Sequence, residues 1–171
     1  KLAGAKEEIA NATLVQGRFY AVTKIVDGDT FQLGNHKVRL LGVNTPESVH
    51  PTKPVDWYGI ESSNHMKKLL KGKKVRLEPE KGKTLQKAKG PFGRVLAYAF
   101  LEDGTDINRD VVRGGFGQSY HKYPCKRRAE FDELQAKAKG EGIGQWNDAG
   151  RLAWEDTHII PVVLLADAKV I

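Results

Sequence analysis

Three segments rich in β-branched and aromatic residues follow one another between residues 18 and 43, with only short turns between them. RFYAVTKIV covers residues 18–26, GDTFQLGNH covers 28–36 and KVRLLGV covers 37–43. The Asp-Gly and Gly-Asn pairs between these segments are typical of tight turns. The pattern therefore predicts a meander of three strands.

The segments downstream of the meander predict helices and two further strands. A helix is expected over 57–72 and strands over 73–79 and 93–101, followed by helices over 105–115 and 124–142. Apolar spacing predicts that the first helix contacts the core through four residues: Ile60, Met66, Leu69 and Leu70.

A five-stranded sheet of this size leaves exposed edges unless it curls and closes. The order of elements therefore predicts a mainly β fold, a five-stranded OB-fold β-barrel with about three α-helices packed outside it. We expect a polar lead-in over 1–17, one domain over 18–146, and a C-terminal extension over 147–171 whose structure the pattern does not predict.

Charge narrows the class of partner. Lys and Arg number 28 against 21 Asp and Glu, a formal net charge of +7, which favours nucleic acid or another polyanion. A single cysteine excludes an intramolecular disulfide. The longest apolar run, 159–166, is too short to cross a bilayer, so no membrane insertion is expected.

Polar residues with possible chemistry cluster at the ends of the first predicted strands. Asp29 lies in the DGDT turn, and Arg39 lies in an apolar strand that ends in Asn44, Thr45 and Glu47. A buried arginine needs an anion, and carboxylates at a turn suit a hard cation. A plain hairpin turn and a structural salt bridge are the alternatives.

Two further signals lie later in the chain. Arg94 follows a glycine-bounded loop, and Tyr120 and Tyr123 alternate with basic residues. Aromatic rings among basic residues can stack on bases while the charges hold phosphates, although an ordinary exposed loop also fits. Together, a carboxylate, two arginines and a hard-cation site are what hydrolysis of a phosphodiester requires.

These residues occur in motifs that resemble the staphylococcal nuclease (thermonuclease) family. The motifs are VDGDTFQL, VRLLGVNTPES, YGIES, FGRVLAY and VVRGGFG, and the resemblance runs from about residue 18 to residue 146. It implies an OB-fold nuclease that cleaves DNA and RNA with calcium. By resemblance we expect export, with a leader removed, and a monomer.

The resemblance also implies roles for single residues. Asp29, Asn44 and the Thr45 backbone carbonyl would bind calcium, Glu47 would act on the attacking water, and Arg39 and Arg94 would bind the scissile phosphate. Phe92, Tyr120 and Tyr123 would flank the nucleotide. Asn44 stands where the family has an aspartate, which predicts weaker metal binding because one negative charge is missing.

Two other functions fit the same sequence. A non-catalytic OB-fold module could bind nucleic acid or serve as a scaffold, since fold alone does not fix function. A protein-interaction module could dock through the apolar run over 159–166.

Overall fold

The computed structural model describes residues 13–86 and 88–158. These residues form eight short strands and four α-helices. The strands are β1 Tyr20–Ala21, β2 Lys24–Asp27, β3 Thr30–Leu33, β4 His36–Leu40, β5 Val43–Asn44, β6 Lys74–Glu78, β7 Val95–Leu101 and β8 Gln118–Ser119. The helices are α1 Gly59–Leu70, α2 Ile107–Arg113, α3 Arg128–Glu141 and α4 Asp148–His158.

Six strands form one sheet in the order β1-β6-β7-β4-β3-β2. Neighbours are antiparallel except for β4 and β7, which run parallel with Arg39 opposite Leu96. The other two strands, β5 and β8, form a separate antiparallel pair in which Asn44 lies opposite Gln118. This small pair fixes the segment after β4 against the segment before residue 120.

The edges of the large sheet, β1 and β2, are joined by only two residues. Val22 N donates to Lys73 O (3.1 Å), and Thr23 N donates to Gln32 O (2.9 Å), so the chain changes partner strand between them. Within the described residues β1 and β2 do not pair with each other. A mixed fold of strands and helices is therefore confirmed. The predicted closed five-stranded barrel is not observed, because the six-stranded sheet of the described chain has β1 and β2 as unpaired edges.

The predicted third strand is also divided. It spans 37–43 in the sequence, but β4 ends at Leu40 and the next strand begins at Val43. Gly42 between them has a φ of +74°, a left-handed conformation that glycine adopts without steric cost. The chain turns there and leaves the large sheet, which brings Asn44 to β8.

Helix α1 shows where the sequence pattern assigned a residue to the wrong face. Met66 and Leu70 are fully buried, as predicted, whereas Ile60 is 55% exposed. At 100° per residue, Ile60 lies about 100° from the centre of the buried stripe. Its prediction as a core contact is therefore wrong.

A buried polar side chain joins the sheet to α2. Asn108 is fully buried; its Nδ2 donates to Leu41 O (2.9 Å) and its Oδ1 accepts from Ala99 N (2.9 Å). Asp106 caps this helix, because its Oδ1 accepts from Arg109 N (3.1 Å). Asn108 therefore holds the loop after β4, close to the candidate site, against β7.

The C-terminal region contains α4, a helix that the sequence pattern did not predict. The Trp154 ring of α4 lies 6.2 Å from that of Trp57, which precedes α1. None of the helices in the described ranges is long and apolar enough to cross a membrane. Residues 1–12 and 159–171 lie outside the described residues, and so does the docking segment of the protein-interaction hypothesis.

Truncating Met66 should destabilise the fold, whereas truncating Ile60 should not. Met66→Ala removes a buried side chain and is expected to cost about 3 kcal/mol of unfolding free energy. Ile60→Ala, on the exposed side of the same helix, is the matched control and should cost less than about 0.5 kcal/mol. Urea denaturation measures both, and equal losses would contradict the assigned burial.

Candidate active site

The candidate site is built around the guanidinium of Arg39, at the end of β4. The residue is only 7% exposed, and the charge is balanced by Asp29, whose Oδ2 lies 3.2 Å from Arg39 Nη2. Nη1 donates to Leu40 O (2.8 Å) and Val43 O (2.5 Å), and Nη2 donates to Asn44 Oδ1 (2.9 Å). These contacts bring the β2–β3 turn and β5 to one point.

The DGDT turn is held against the same point by Thr45. Asp29 Oδ2 accepts from Thr45 N (3.0 Å), and Asp29 Oδ1 accepts from the Thr30 hydroxyl (2.9 Å). Gly28 permits this close approach, because a Cβ there would lie 2.8 Å from Thr45 Oγ1. Thr45 Oγ1 is buried and has no hydrogen-bond partner among the described residues.

Glu47 reaches the site because its backbone is anchored on both sides. Its N donates to Asp56 Oδ2 (2.9 Å), and its O accepts from Asp56 N (2.9 Å). Gly59 at the start of α1 leaves room for this carbonyl, since a Cβ there would lie 2.3 Å from Glu47 O. Ser48 is fixed beside it by a short hydrogen bond from its hydroxyl to Asp27 Oδ1.

Negative charge accumulates around the Glu47 side chain. Burial, then the neighbouring Asp27 carboxyl, and then the more weakly acting Asp29 and Asp56, raise the pKa of Glu47 to about 7. Each of these causes penalises the ionised carboxylate. Asp29 is paired with Arg39, whereas the ionised form of Glu47 is the one that these neighbouring carboxylates disfavour.

The predicted calcium site can be tested against the donor atoms. In the described ranges, no three His, Cys, Asp or Glu side chains are arranged to hold a metal ion by themselves. The chemistry of the donors nevertheless suits a hard cation, because carboxylate oxygens gather beside the unpartnered Thr45 Oγ1. Asn44 Oδ1 uses one lone pair to accept from Arg39, which leaves the other for a cation.

Arg94 and Phe92 have no hydrogen bond or ring contact to this cluster in the part of the chain that the structure describes. Arg94 Nε donates to Pro91 O (3.2 Å), and its guanidinium lies 5.8 Å from the centre of the Phe92 ring. Within the described residues Arg94 forms no ion pair. Phe92 is 93% exposed and has a φ of +64°, unusual for a residue other than glycine.

Tyr120 lies against Arg39, and Tyr123 lies against Tyr120. The Arg39 guanidinium is 5.6 Å from the centre of the Tyr120 ring, and the two tyrosine rings meet edge to face at 6.1 Å. Tyr123 lines a cavity of about 240 Å³ together with Lys83 and Lys89. An aromatic wall beside two lysines suits a nucleotide base and its phosphate.

The structure thus brings together Asp29, Arg39, Asn44, Thr45, Glu47 and Tyr120 and leaves Arg94 and Phe92 outside their contacts. The sequence did not identify Asp27 and Asp56, two neighbours of Glu47, as site residues. Asp27 was visible as the first acid of DGDT. No local pattern marked Asp56, which reaches Glu47 only through the fold.

This geometry can now be compared with known proteins. The family described as "Staphylococcal nuclease homologue" matches residues 37–148 of the chain. The chain therefore belongs to the staphylococcal nuclease family, as the motifs predicted. The matched region includes every predicted site residue except Asp29, which lies before it.

Similar curated proteins agree with this membership. Thermonuclease of Staphylococcus intermedius is 34% identical over 141 residues, covering 80% of this chain and 80% of its own length. Thermonuclease of Staphylococcus hyicus is 32% identical, covering 75% of this chain and 76% of its own length. Endonuclease YhcR of Bacillus subtilis (strain 168) is 30% identical over 74% of this chain, which spans only 11% of that relative's length.

Replacing Glu47 should stabilise the metal-free protein at neutral and alkaline pH. The pKa of Glu47 rises from 4.5 to about 7 on folding, so between these values the folded protein holds a proton that the unfolded chain has released. The free energy of unfolding of the parent therefore falls as the pH rises through this window. Glu47→Gln does not ionise, so its advantage should grow from pH 5 to pH 8.

Urea denaturation in EDTA at pH 5, 6 and 8 measures this difference. Glu133→Gln is the control, because Glu133 is exposed on α3 and should give the same difference at every pH. A Glu47→Gln advantage that does not change with pH would show that the surrounding carboxylates do not act on Glu47.

Proposed function

We propose that the protein is a calcium-dependent nuclease that hydrolyses phosphodiester bonds of DNA and RNA with little sequence specificity. The observation that carries the proposal is the convergence of Glu47, Asp29 and the buried Arg39 at one point of the fold. Membership of the family and similarity to relatives named thermonuclease and endonuclease support it.

In this proposal Glu47 is the general base. Its carboxylate orients a water molecule and takes a proton from it while the water oxygen bonds to phosphorus. The bond from phosphorus to the leaving oxygen breaks, and that oxygen takes up a proton from a solvent water molecule. Positioned donors stabilise the charge that develops on the phosphoryl oxygens.

Arg39 and Arg94 are the proposed phosphate-binding residues, but their guanidinium groups differ in how many protein partners they have. Both Nη atoms of Arg39 are engaged with protein acceptors, and only Nε has no partner among the described residues. A bidentate contact from Arg39 to phosphate therefore requires one internal contact to be released. Arg94 has a single neutral hydrogen bond to give up, so it can swing toward a bound phosphate.

The proposed calcium ion would be held by Asp29, by Asn44 Oδ1 and by the Thr45 carbonyl. When bound, the ion supplies positive charge that offsets the clustered carboxylates and the charge of the phosphate. The cavity at Tyr123 would take a nucleotide base, with Lys83 and Lys89 near its phosphate. Phe92, which is 93% exposed, would flank the same nucleotide.

Cleavage of plasmid DNA and of RNA with calcium, and its loss with EDTA, is the direct test. Glu47→Gln should lower the rate by at least about a hundredfold while binding of nucleic acid persists, because only proton transfer is lost. Arg94→Ala should lose about 10²–10³ in rate if the guanidinium stabilises the transition state.

Arg113→Ala is a matched control for Arg94→Ala. Arg113 at the end of α2 forms a surface ion pair with Glu141 at the end of α3 (Nη2 to Oε1, 3.0 Å) and makes none of the contacts of the candidate site, so its removal should leave the rate unchanged. If the parent binds nucleic acid but cleaves none with calcium, magnesium or manganese, the non-catalytic OB-fold module or scaffold is the correct function.

Restoring an acid at position 44 should tighten calcium binding. Asn44→Asp adds a negative charge to the proposed ligand set, and calcium affinity rises with the number of charged ligands. We expect an increase of about tenfold in the association constant by isothermal titration calorimetry.

Gln118→Glu is the control for charge alone. Gln118 pairs with Asn44 across the β5–β8 ladder, so the substitution adds the same charge nearby but not at the proposed ligand. An unchanged affinity in Asn44→Asp, or an equal gain in both variants, would remove Asn44 from the proposed ligand set.

A further inference from the structure

A cleft of about 760 Å³ lies beside the candidate site and shares no lining residue with the Tyr123 cavity. One wall is the segment 54–57, and the other is α4, which contributes Trp154, Glu155 and His158. Asn44 and Thr45 line the cleft where it meets the candidate site. Helix α4 ends ten residues beyond the family match at residue 148, so this wall is built largely from sequence outside that match.

The rings of this cleft form a continuous aromatic surface. His158 stacks on Trp154 with ring centres 4.4 Å apart and planes 10° from parallel. Trp57 packs against Trp154 at 6.2 Å, and its Nε1 is fixed by donation to Gln145 O (2.9 Å). The Trp57 and Trp154 planes are 56° apart, so the rings form an angled wall, and a planar group that enters the cleft can stack on one exposed ring face.

The polar groups of the cleft select against a phosphate. Its described lining contains two carboxylates, Asp56 and Glu155, and no lysine or arginine. Arg151 pairs with Glu155 from outside the lining (Nη1 to Oε1, 2.8 Å). A dianionic or monoanionic group would be repelled, whereas a neutral ring with N–H groups would find acceptors.

Two further atoms of the lining residues are left without partners. Thr45 Oγ1 and Gln145 Nε2 are buried and make no hydrogen bond among the described residues. Buried polar atoms are rarely unpaired, so each needs a partner that the described residues do not supply. The cleft itself combines aromatic rings and hydrogen-bond acceptors beside the candidate site.

We propose that this cleft is a second base-binding subsite, which takes a nucleobase of single-stranded DNA or RNA that flanks the scissile phosphate. The proposal rests on the proposed nuclease function and extends it to the course of the substrate. The strand passes from the Tyr123 cavity, across Glu47 and Arg39, to the Trp154 wall. A base can stack there only when it has left a duplex, so the cleft favours single strands longer than a dinucleotide.

The experiment compares two ligands in a Glu47→Gln background with calcium, in which binding is measured without cleavage. The ligands are a mixed-sequence single-stranded DNA hexamer and the central dinucleotide of that hexamer. Trp154→Ala is expected to weaken hexamer binding by about tenfold, the effect of losing one base-stacking contact. Dinucleotide binding should change by less than about twofold, because the dinucleotide does not reach α4.

Two variants separate stacking from damage to the fold. Trp154→Phe keeps an aromatic face and should restore most of the hexamer affinity. Leu152→Ala is the matched control on α4, because Leu152 is 55% exposed and does not line the cleft, and it should leave both affinities unchanged.

The outcome distinguishes this inference from the proposed function. Equal effects of Trp154→Ala on hexamer and dinucleotide, or no effect on either, would overturn the subsite and leave plasmid cleavage by the parent untouched. A parent that cleaves no nucleic acid would overturn the nuclease function. The subsite would then belong to a binding module, and the same comparison of hexamer and dinucleotide affinities would confirm or overturn it.

Discussion

The ion pair between Arg39 and Asp29 is the interaction on which the site depends. Both residues are less than one-tenth exposed, and a charge in such a place is stable only with a partner and full hydrogen bonding. Arg39 meets this requirement with two carbonyls and an amide from the chain that follows it, so the end of β4, the DGDT turn and β5 are fixed together. Removing the guanidinium would leave Asp29 buried and unpaired, at a cost of about 3–5 kcal/mol. Arg39 therefore both fixes the local backbone and balances the charge of Asp29.

The sequence predicted the parts of this site that lie close together in the chain. Arg39, Asn44, Thr45 and Glu47 fall within nine residues, and the intervening turn brings them together. The role of Asp56 could not be predicted, because it depends on two hydrogen bonds with Glu47, one to the Asp56 carboxylate and one from its backbone N–H. Both form only after the chain has passed through residues 50–55. Tyr120 reaches Arg39 only through the β5–β8 pairing, which no short pattern encodes.

The fold shows the same division between local and distant causes. The first and third predicted strands are each divided in two, whereas the strands over 73–79 and 93–101 follow from local spacing and are confirmed as β6 and β7. The open ladder does not, since it arises where the chain changes partners at Val22 and Thr23. Ile60 was misplaced because spacing identifies a helix more reliably than it identifies the direction of each side chain.

The distribution of charge connects the site with its substrate. The chain carries a net charge of +7, yet the carboxylates of Asp27, Asp29, Glu47 and Asp56 are gathered at one corner beside a single paired arginine. In the proposed function, a polyanion attracted by this net positive charge would be repelled at that corner unless a cation or a second arginine accompanied it. Arg94, held by one neutral hydrogen bond, is the arginine proposed to supply that charge. The acidic corner and the net positive charge together account for the proposed combination of a general affinity for nucleic acid with chemistry that uses an added cation.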